Sequence, residues 1–104
     1  MELNNVFADA SAKQRKVPKG QHVFRQGEKT DRICLIQQGL IKAYYETRDG
    51  KEFIKSFIAE GGIIASLQAI VERQPSTFSV LALEDCIILE LPKSVLDARQ
   101  AQDP

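Results

Sequence analysis

The stretch from Gly61 to Thr77, GGIIASLQAIVERQPST, combines residue types that could hold an anion. Two glycines lead an apolar run into one or two predicted helical turns, and the free N–H groups at a helix N-terminus favour negative charge. Ser76 and Thr77 follow Pro75 and bring two hydroxyl groups close behind these turns. The pattern predicts a site for a small anion. A plain turn after Pro75 is the structural alternative for the two hydroxyl residues.

Side chains for metal binding or nucleophilic catalysis are scarce. His22 is the only histidine, no CxxC pair accompanies it, and we expect it to be a strand residue. Cys34 and Cys86 each lie next to an isoleucine or leucine, which predicts two reduced thiols buried in the core. No Ser-His-Asp or Cys-His pair can be recognised. We therefore expect neither an enzyme nor a metal site.

The composition is that of one ordinary globular domain. The chain has 104 residues, with 43% hydrophobic and 27% charged residues. Fourteen basic residues balance fourteen acidic ones, so no net field attracts DNA or an anionic membrane to this chain. The apolar runs are too short to span a bilayer, and the first residues lack the apolar block of a signal peptide. A cytoplasmic protein without a membrane partner is expected.

Short apolar segments separated by turn residues predict the elements that must position the anion site. Asp49-Gly50 is a strong hairpin signal between strands predicted at 40–46 and 51–58. Further strands are predicted at 33–36, 78–83 and 86–91, and helical turns at 67–72 and after Pro92. Strands at intervals of about eight to twelve residues indicate an all-β sandwich or barrel.

The same pattern divides the chain into three parts. Residues 1–12 are expected to form a lead-in or weak helix, and residues 13–91 the β-barrel. Residues 92–104 read as the start of a C-terminal helix that is truncated, because the last residues are polar and lack the heptads of a dimer helix.

Residues Lys19 to Leu67 read KGQHVFRQGEKTDRICLIQQGLIKAYYETRDGKEFIKSFIAEGGIIASL, and this stretch resembles the cyclic-nucleotide-binding domain of the Crp/Fnr transcription regulators. Its motif KGxxxFxxGxxxDxxxxIxxGxxKxY, the Asp-Gly hairpin and the later SVLALEDCIILELPKSVL carry the resemblance to about Leu96. The matching glycines are Gly20, Gly27, Gly39, Gly50 and Gly61. The resemblance implies an eight-stranded jelly-roll β-barrel with short flanking helices in a bacterial regulator.

In that family the segment from Gly61 onward is the phosphate-binding cassette. Members that bind cyclic nucleotide have a glycine at the position of Ala65 and a glutamate, for the ribose 2′-hydroxyl, at Ser66. They have an arginine, for the cyclic phosphate, at Ser76, and a serine or threonine beside it, which Thr77 retains. Three of these four positions differ in this chain. Ser66 is too short to replace the glutamate, although it could cap the helix that starts at the next residue.

A serine cannot replace the charged fork of an arginine, so binding of cAMP or cGMP in the usual way is not expected. Arg73 or Lys55 could supply charge from another direction, and the alternative for Arg73 is a solvated surface residue. The residues expected at the ligand site are Gly62, Ile64, Ala65, Ser66, Leu67, Arg73, Ser76 and Thr77.

The resemblance leads to one main hypothesis and two alternatives. The main one is the effector-sensing regulatory domain of a Crp/Fnr-like regulator, whose effector is absent, weak or different. Such a regulator would be a homodimer in its full-length form and would contact DNA only through a C-terminal domain absent from this chain. The first alternative is a functional small-anion or cyclic-nucleotide receptor with substituted contacts. The second, a metal enzyme of the cupin type, is set aside because it needs several histidines.

No cofactor is expected. Some family members hold an iron–sulfur cluster through a group of N-terminal cysteines, and residues 1–12 contain no cysteine. Others hold haem, for which His22 would be the sole histidine ligand.

Overall fold

The computed structural model of the protein describes residues 12–92 and Ser94, with the backbone alone for Leu67 and Gln68. This part of the chain contains one short helix, α1 (Leu67–Val71), and eight strands. The strands are β1 (Lys13–Val17), β2 (His22–Phe24), β3 (Arg32–Gln38), β4 (Ile41–Glu46), β5 (Glu52–Ile58), β6 (Ile63–Ala65), β7 (Ser79–Ala82) and β8 (Cys86–Pro92).

All strand pairs are antiparallel and form two four-stranded sheets. One sheet has the order β1-β8-β3-β6, and the other has the order β2-β7-β4-β5. The predicted all-β jelly roll with eight strands is confirmed. The described strands form two sheets around a shared core rather than one closed barrel.

Alternating side chains of both sheets build the main core. Ile36 and Ile88 contribute from one sheet, Ile41 and Val80 from the other, and all four are fully buried. Burying one such side chain contributes about 1.5–3 kcal/mol, so this layer holds the two sheets together. A smaller cluster packs Ile70 of α1 against residues of β3 and β8. The short helix is therefore anchored on the first sheet.

The Asp-Gly signal is confirmed as the turn of the β4–β5 hairpin. Gly50 has a φ of +84°, its N–H bonds to the carbonyl of Thr47, and the Thr47 N–H bonds to the carbonyl of Lys51, both at 2.9 Å. Strand β5 lies at the edge of its sheet and is exposed over most of its length. Its apolar residues therefore do not follow the simple alternation of a half-buried strand.

Pro92 was predicted to begin a helix, and this prediction is wrong. Pro92 is the last residue of β8 and pairs with Arg32 of β3. Strand β1 pairs with β8 only as far as Glu90, so a proline beyond that point removes no ladder bond to β1. Ser94 is helical. The expectations for the lead-in at 1–12 and for the C-terminal helix at 92–104 otherwise concern residues outside the described part.

Both cysteines are free and buried, as predicted. Burial raises the pKa of the Cys34 thiol from its ordinary value of 9.0 to about 12, and it also raises the pKa of Cys86. A thiol with a raised pKa carries little thiolate near neutral pH and is a poor nucleophile.

We expect Gly39→Ala to destabilise the domain more than Gly50→Ala. Both glycines have positive φ, which costs an alanine about 1–2 kcal/mol. A Cβ on Gly39 would also lie 2.6 Å from Cys86 Sγ, whereas Gly50 has open space. The overlap should add about 1–3 kcal/mol to the loss of unfolding free energy, measured by urea denaturation. Equal losses in the two variants would contradict this role of Gly39.

Iodoacetamide at pH 8 should leave both cysteines of the native protein unmodified and should modify both in urea, as followed by intact mass. The folded pKa of Cys34 lies above its ordinary value, so this thiol stabilises the fold fully below about pH 9 and loses that contribution as the pH rises toward 12. Cys34→Ala should therefore flatten part of the fall in stability between these pH values. Rapid alkylation of native Cys34 at pH 8 would be inconsistent with its burial.

Candidate functional site

A cavity of about 390 Å³ lies beside the predicted cassette. Strands β4 and β5 form one wall, β6 with Ser66 forms another, and the segment leading into β7 completes it. The lining residues are Ala43, Lys55, Ser56, Ile58, Ile63, Ile64, Ala65, Ser66, Thr77 and Phe78.

The turn at Gly61 and Gly62 brings β5 and β6 together around this cavity. The Gly61 N–H bonds to the carbonyl of Ile36 at 2.8 Å, and the Ile36 N–H bonds to the carbonyl of Gly62 at 2.9 Å. A Cβ on Gly62 would overlap Cγ2 of Ile58. Gly62 therefore shapes the cavity by permitting close packing, and it is not one of the lining residues.

Ser66 caps helix α1, as the sequence suggested. Its Oγ accepts a hydrogen bond from the N–H of Ala69 at 3.4 Å, and its carbonyl accepts one from Ile70 at 3.0 Å. The residue is fully buried. The Ser66 hydroxyl is thus used by the helix N-terminus.

Ser76 is turned into the protein rather than into the cavity. Its Oγ donates to the carbonyl of Phe78 at 2.7 Å and accepts from the Phe78 N–H at 3.3 Å. Its backbone exchanges two bonds of 2.8 Å with Gly27 and Glu28. With 2% of its surface exposed, Ser76 joins the loop before β7 to the loop after β2.

The remaining predicted residues separate into three groups. Ile64, Ala65 and Thr77 line the cavity, and the Thr77 hydroxyl has no hydrogen-bond partner among the described residues. Leu67 begins α1, and its side chain is outside the description. Arg73 lies elsewhere, in a separate cleft of about 350 Å³ with Lys29 and Asp31. Its φ of +56° places it in the left-handed turn that follows the helix.

Among the described residues, Lys55 is the cation that lines the cavity. Ser56 pairs with Ala43 and Ile54 pairs with Tyr44, so Lys55 is the extra, unpaired residue of a β-bulge. Its Nζ lies 4.6 Å from the centroid of the Phe78 ring, in cation–π geometry. From the sequence, Lys55 was expected only as an alternative source of positive charge. A bulge within a hairpin cannot be recognised from the pattern of residues in a single sequence.

Five further lining residues were missed: Ala43, Ser56, Ile58, Ile63 and Phe78. All five lie in or next to strands. For the four apolar residues, the sequence pattern is the same whether a side chain faces a cavity or the core. Ser56 is an exposed residue of the edge strand β5, where a serine carries no signal of its own.

His22 lies in β2, as expected, and its Nε2 is 2.6 Å from the Tyr44 hydroxyl. Burial, followed by the positive charge of Arg25, lowers the pKa of His22. Across residues 12–92, no group of three or more His, Cys, Asp or Glu side chains is placed to hold a metal. Within the same residues, no helix combines the length and apolarity needed to cross a membrane.

Comparison with known proteins identifies the family of this chain. The family model described as "Cyclic nucleotide-binding domain" matches residues 14–103. The anaerobic regulatory protein of Haemophilus influenzae is 32% identical over 96 residues, covering 92% of this chain and 35% of that protein. The fumarate and nitrate reduction regulatory protein of Vibrio cholerae is 30% identical over 92 residues, with 88% and 36% covered. The chain thus spans about a third of these relatives.

Solved structures show the same fold. The catabolite activator protein of Thermus thermophilus matches with a TM-score of 0.82 at 19% identity, covering 92% of this chain and 44% of that one. The sensor domain of the transcriptional regulator DNR from Pseudomonas aeruginosa matches with a TM-score of 0.81 at 24% identity, covering 94% and 63%. At these identities the likeness concerns the fold alone.

Ser66→Ala should lower the unfolding free energy by about 1 kcal/mol, because the helix loses its cap. Ser56→Ala is the matched control: Ser56 lines the same cavity but is exposed and makes no hydrogen bond with a described residue. Its effect should stay within about 0.5 kcal/mol. Urea denaturation measures both variants, and equal effects would argue against the capping role.

Proposed function

The chain belongs to the cyclic nucleotide-binding domain family, its relatives are Crp/Fnr regulators, and on that premise we propose that it is an effector-sensing regulatory domain with a degenerate cassette. In this proposal the cavity beside β6 receives the effector, and cAMP is not bound in the usual way. The relatives are named as regulators, in agreement with the expectation of a non-enzymatic chain.

The buried hydroxyl of Ser76 carries the proposal. At the position where the family places its phosphate-binding arginine, this side chain is satisfied by the backbone of Phe78 and is not among the cavity residues. A charge-assisted hydrogen bond from an arginine is worth about 1.5–3 kcal/mol, so its loss weakens phosphate binding about tenfold or more. Ser66, at the position of the ribose contact, is likewise occupied by capping α1.

Signal transfer would follow the first sheet. The cavity wall β6 pairs with β3, and β3 pairs with β8 as far as Pro92, where the chain leaves the sheet. A ligand that favours one position of β6 would bias the segment after β8, which is the physical requirement for an allosteric output. In a full-length regulator, homodimeric and cytoplasmic, that output would reach a C-terminal DNA-binding domain.

Millimolar cAMP or cGMP should leave the melting temperature of the protein unchanged in a thermal-shift titration. A ligand at a hundred times its dissociation constant would add about 2.7 kcal/mol, which for a domain of this size means a rise of more than ~10 °C. A cyclic-nucleotide-binding domain with the cassette arginine serves as the positive control. A rise of that size in this protein would overturn the proposal of a degenerate cassette.

A further inference from the structure

We propose that the cavity binds a small amphipathic monoanion, a carboxylate with an apolar body, whose carboxylate is held by Lys55. This inference names the effector class and rests on the proposed function, because it places the effector in the same cavity. Four observations lead to it: the position of Lys55, the charge around it, the free hydroxyl groups and the apolar walls.

The bulge in β5 directs Lys55 to the cavity. Strand β5 without a bulge would continue the alternation of its side chains through this point, but the extra residue between Ile54 and Ser56 interrupts the pairing with β4. Lys55 thereby lines the cavity and reaches the face of the Phe78 ring. Bulges commonly redirect a side chain next to a binding site.

The charge of Lys55 is not neutralised by any described residue. The neighbouring lysines of the hairpin are paired: Lys42 Nζ lies 3.0 Å from Glu52, and Lys51 Nζ lies 3.8 Å from Asp49. Lys55 has no such carboxylate partner among the described residues, and its ammonium group lies against the Phe78 ring. Among the described residues that line the cavity, none is acidic. The described lining residues therefore carry one positive charge, that of Lys55, and favour an anion.

Two hydroxyl groups remain available beside this cation. Thr77 and Ser56 line the cavity and make no hydrogen bond with the described residues. The hydroxyl of Ser66, in contrast, is already used by the helix. One ammonium group and two hydroxyl groups can donate hydrogen bonds to the oxygens of a carboxylate.

The other six lining residues are apolar: Ala43, Ile58, Ile63, Ile64, Ala65 and Phe78. An aliphatic or aromatic body would be buried favourably against these side chains. The volume of about 390 Å³ falls within the range of small-molecule sites. A phosphate monoester carries close to two negative charges, and Lys55 is the single cation among the lining residues that the structure describes. A single carboxylate therefore fits the charge better.

Two-dimensional ¹H–¹⁵N NMR titrations of the 104-residue protein test the inference. The probes are 4-phenylbutyrate, its neutral amide 4-phenylbutyramide, and phenyl phosphate. We expect 4-phenylbutyrate to shift the amide signals of Ile64, Ala65 and Thr77 saturably. The neutral amide should bind at least about tenfold more weakly, because it lacks the charge-assisted bond. Phenyl phosphate should bind more weakly than the carboxylate.

Lys55→Met keeps the apolar stem, removes the charge and should weaken 4-phenylbutyrate binding at least about tenfold. Lys55→Arg keeps the charge and should retain binding. Lys13→Met removes an exposed lysine of β1 in the other sheet and should leave binding unchanged. The spectra of all three variants report directly whether the domain is folded.

The inference is overturned if 4-phenylbutyrate produces no saturable shifts, if folded Lys55→Met binds it as tightly as the parent, or if phenyl phosphate is the tighter ligand. These outcomes are separate from failure of the proposed function. Stabilisation by cAMP would refute the degenerate cassette, whereas absent stabilisation together with absent carboxylate binding would refute only the effector class.

Discussion

The arrangement of the candidate site depends on the crossing of the chain from one sheet to the other at Gly61 and Gly62. Two backbone hydrogen bonds to Ile36 hold this turn against β3. The absence of a side chain on Gly62 lets Ile58, at the end of β5, pack against it. This crossing places β5 and β6 on adjacent walls of one cavity. That junction fixes the relative positions of the bulge with Lys55, the helix cap at Ser66 and the apolar lining residues.

The two buried serines, Ser66 and Ser76, show how short polar side chains can stabilise the loops beside a cavity. An arginine or glutamate extends away from the backbone and needs a ligand or a counter-charge, whereas a serine is short enough to bond to the neighbouring backbone. Ser66 and Ser76 do this, and both stabilise the local fold. These serines contribute to the local structure, and Lys55, the cation among the described lining residues, comes from β5 on another wall.

Much of the fold could be predicted from the sequence, because its signals are local. The hairpin at Gly50, the buried cysteines and the cap at Ser66 each follow from a residue and its immediate neighbours. Pro92 was misplaced because a proline fits both the first turn of a helix and the free edge at the end of a strand. For the site, proximity in sequence was a poor guide. Arg73, three residues from Ser76, lies in a different cleft.

The sequence by itself determined the all-β class and the family, since these depend on residue identity and spacing along the chain. Only the tertiary structure decided which side chains meet around the cavity. A register shift of one residue in β5 reverses the direction of every later side chain, and such a shift is set by pairing with β4 rather than by composition. Lys55 therefore reaches the cavity through a long-range constraint that no local pattern contains.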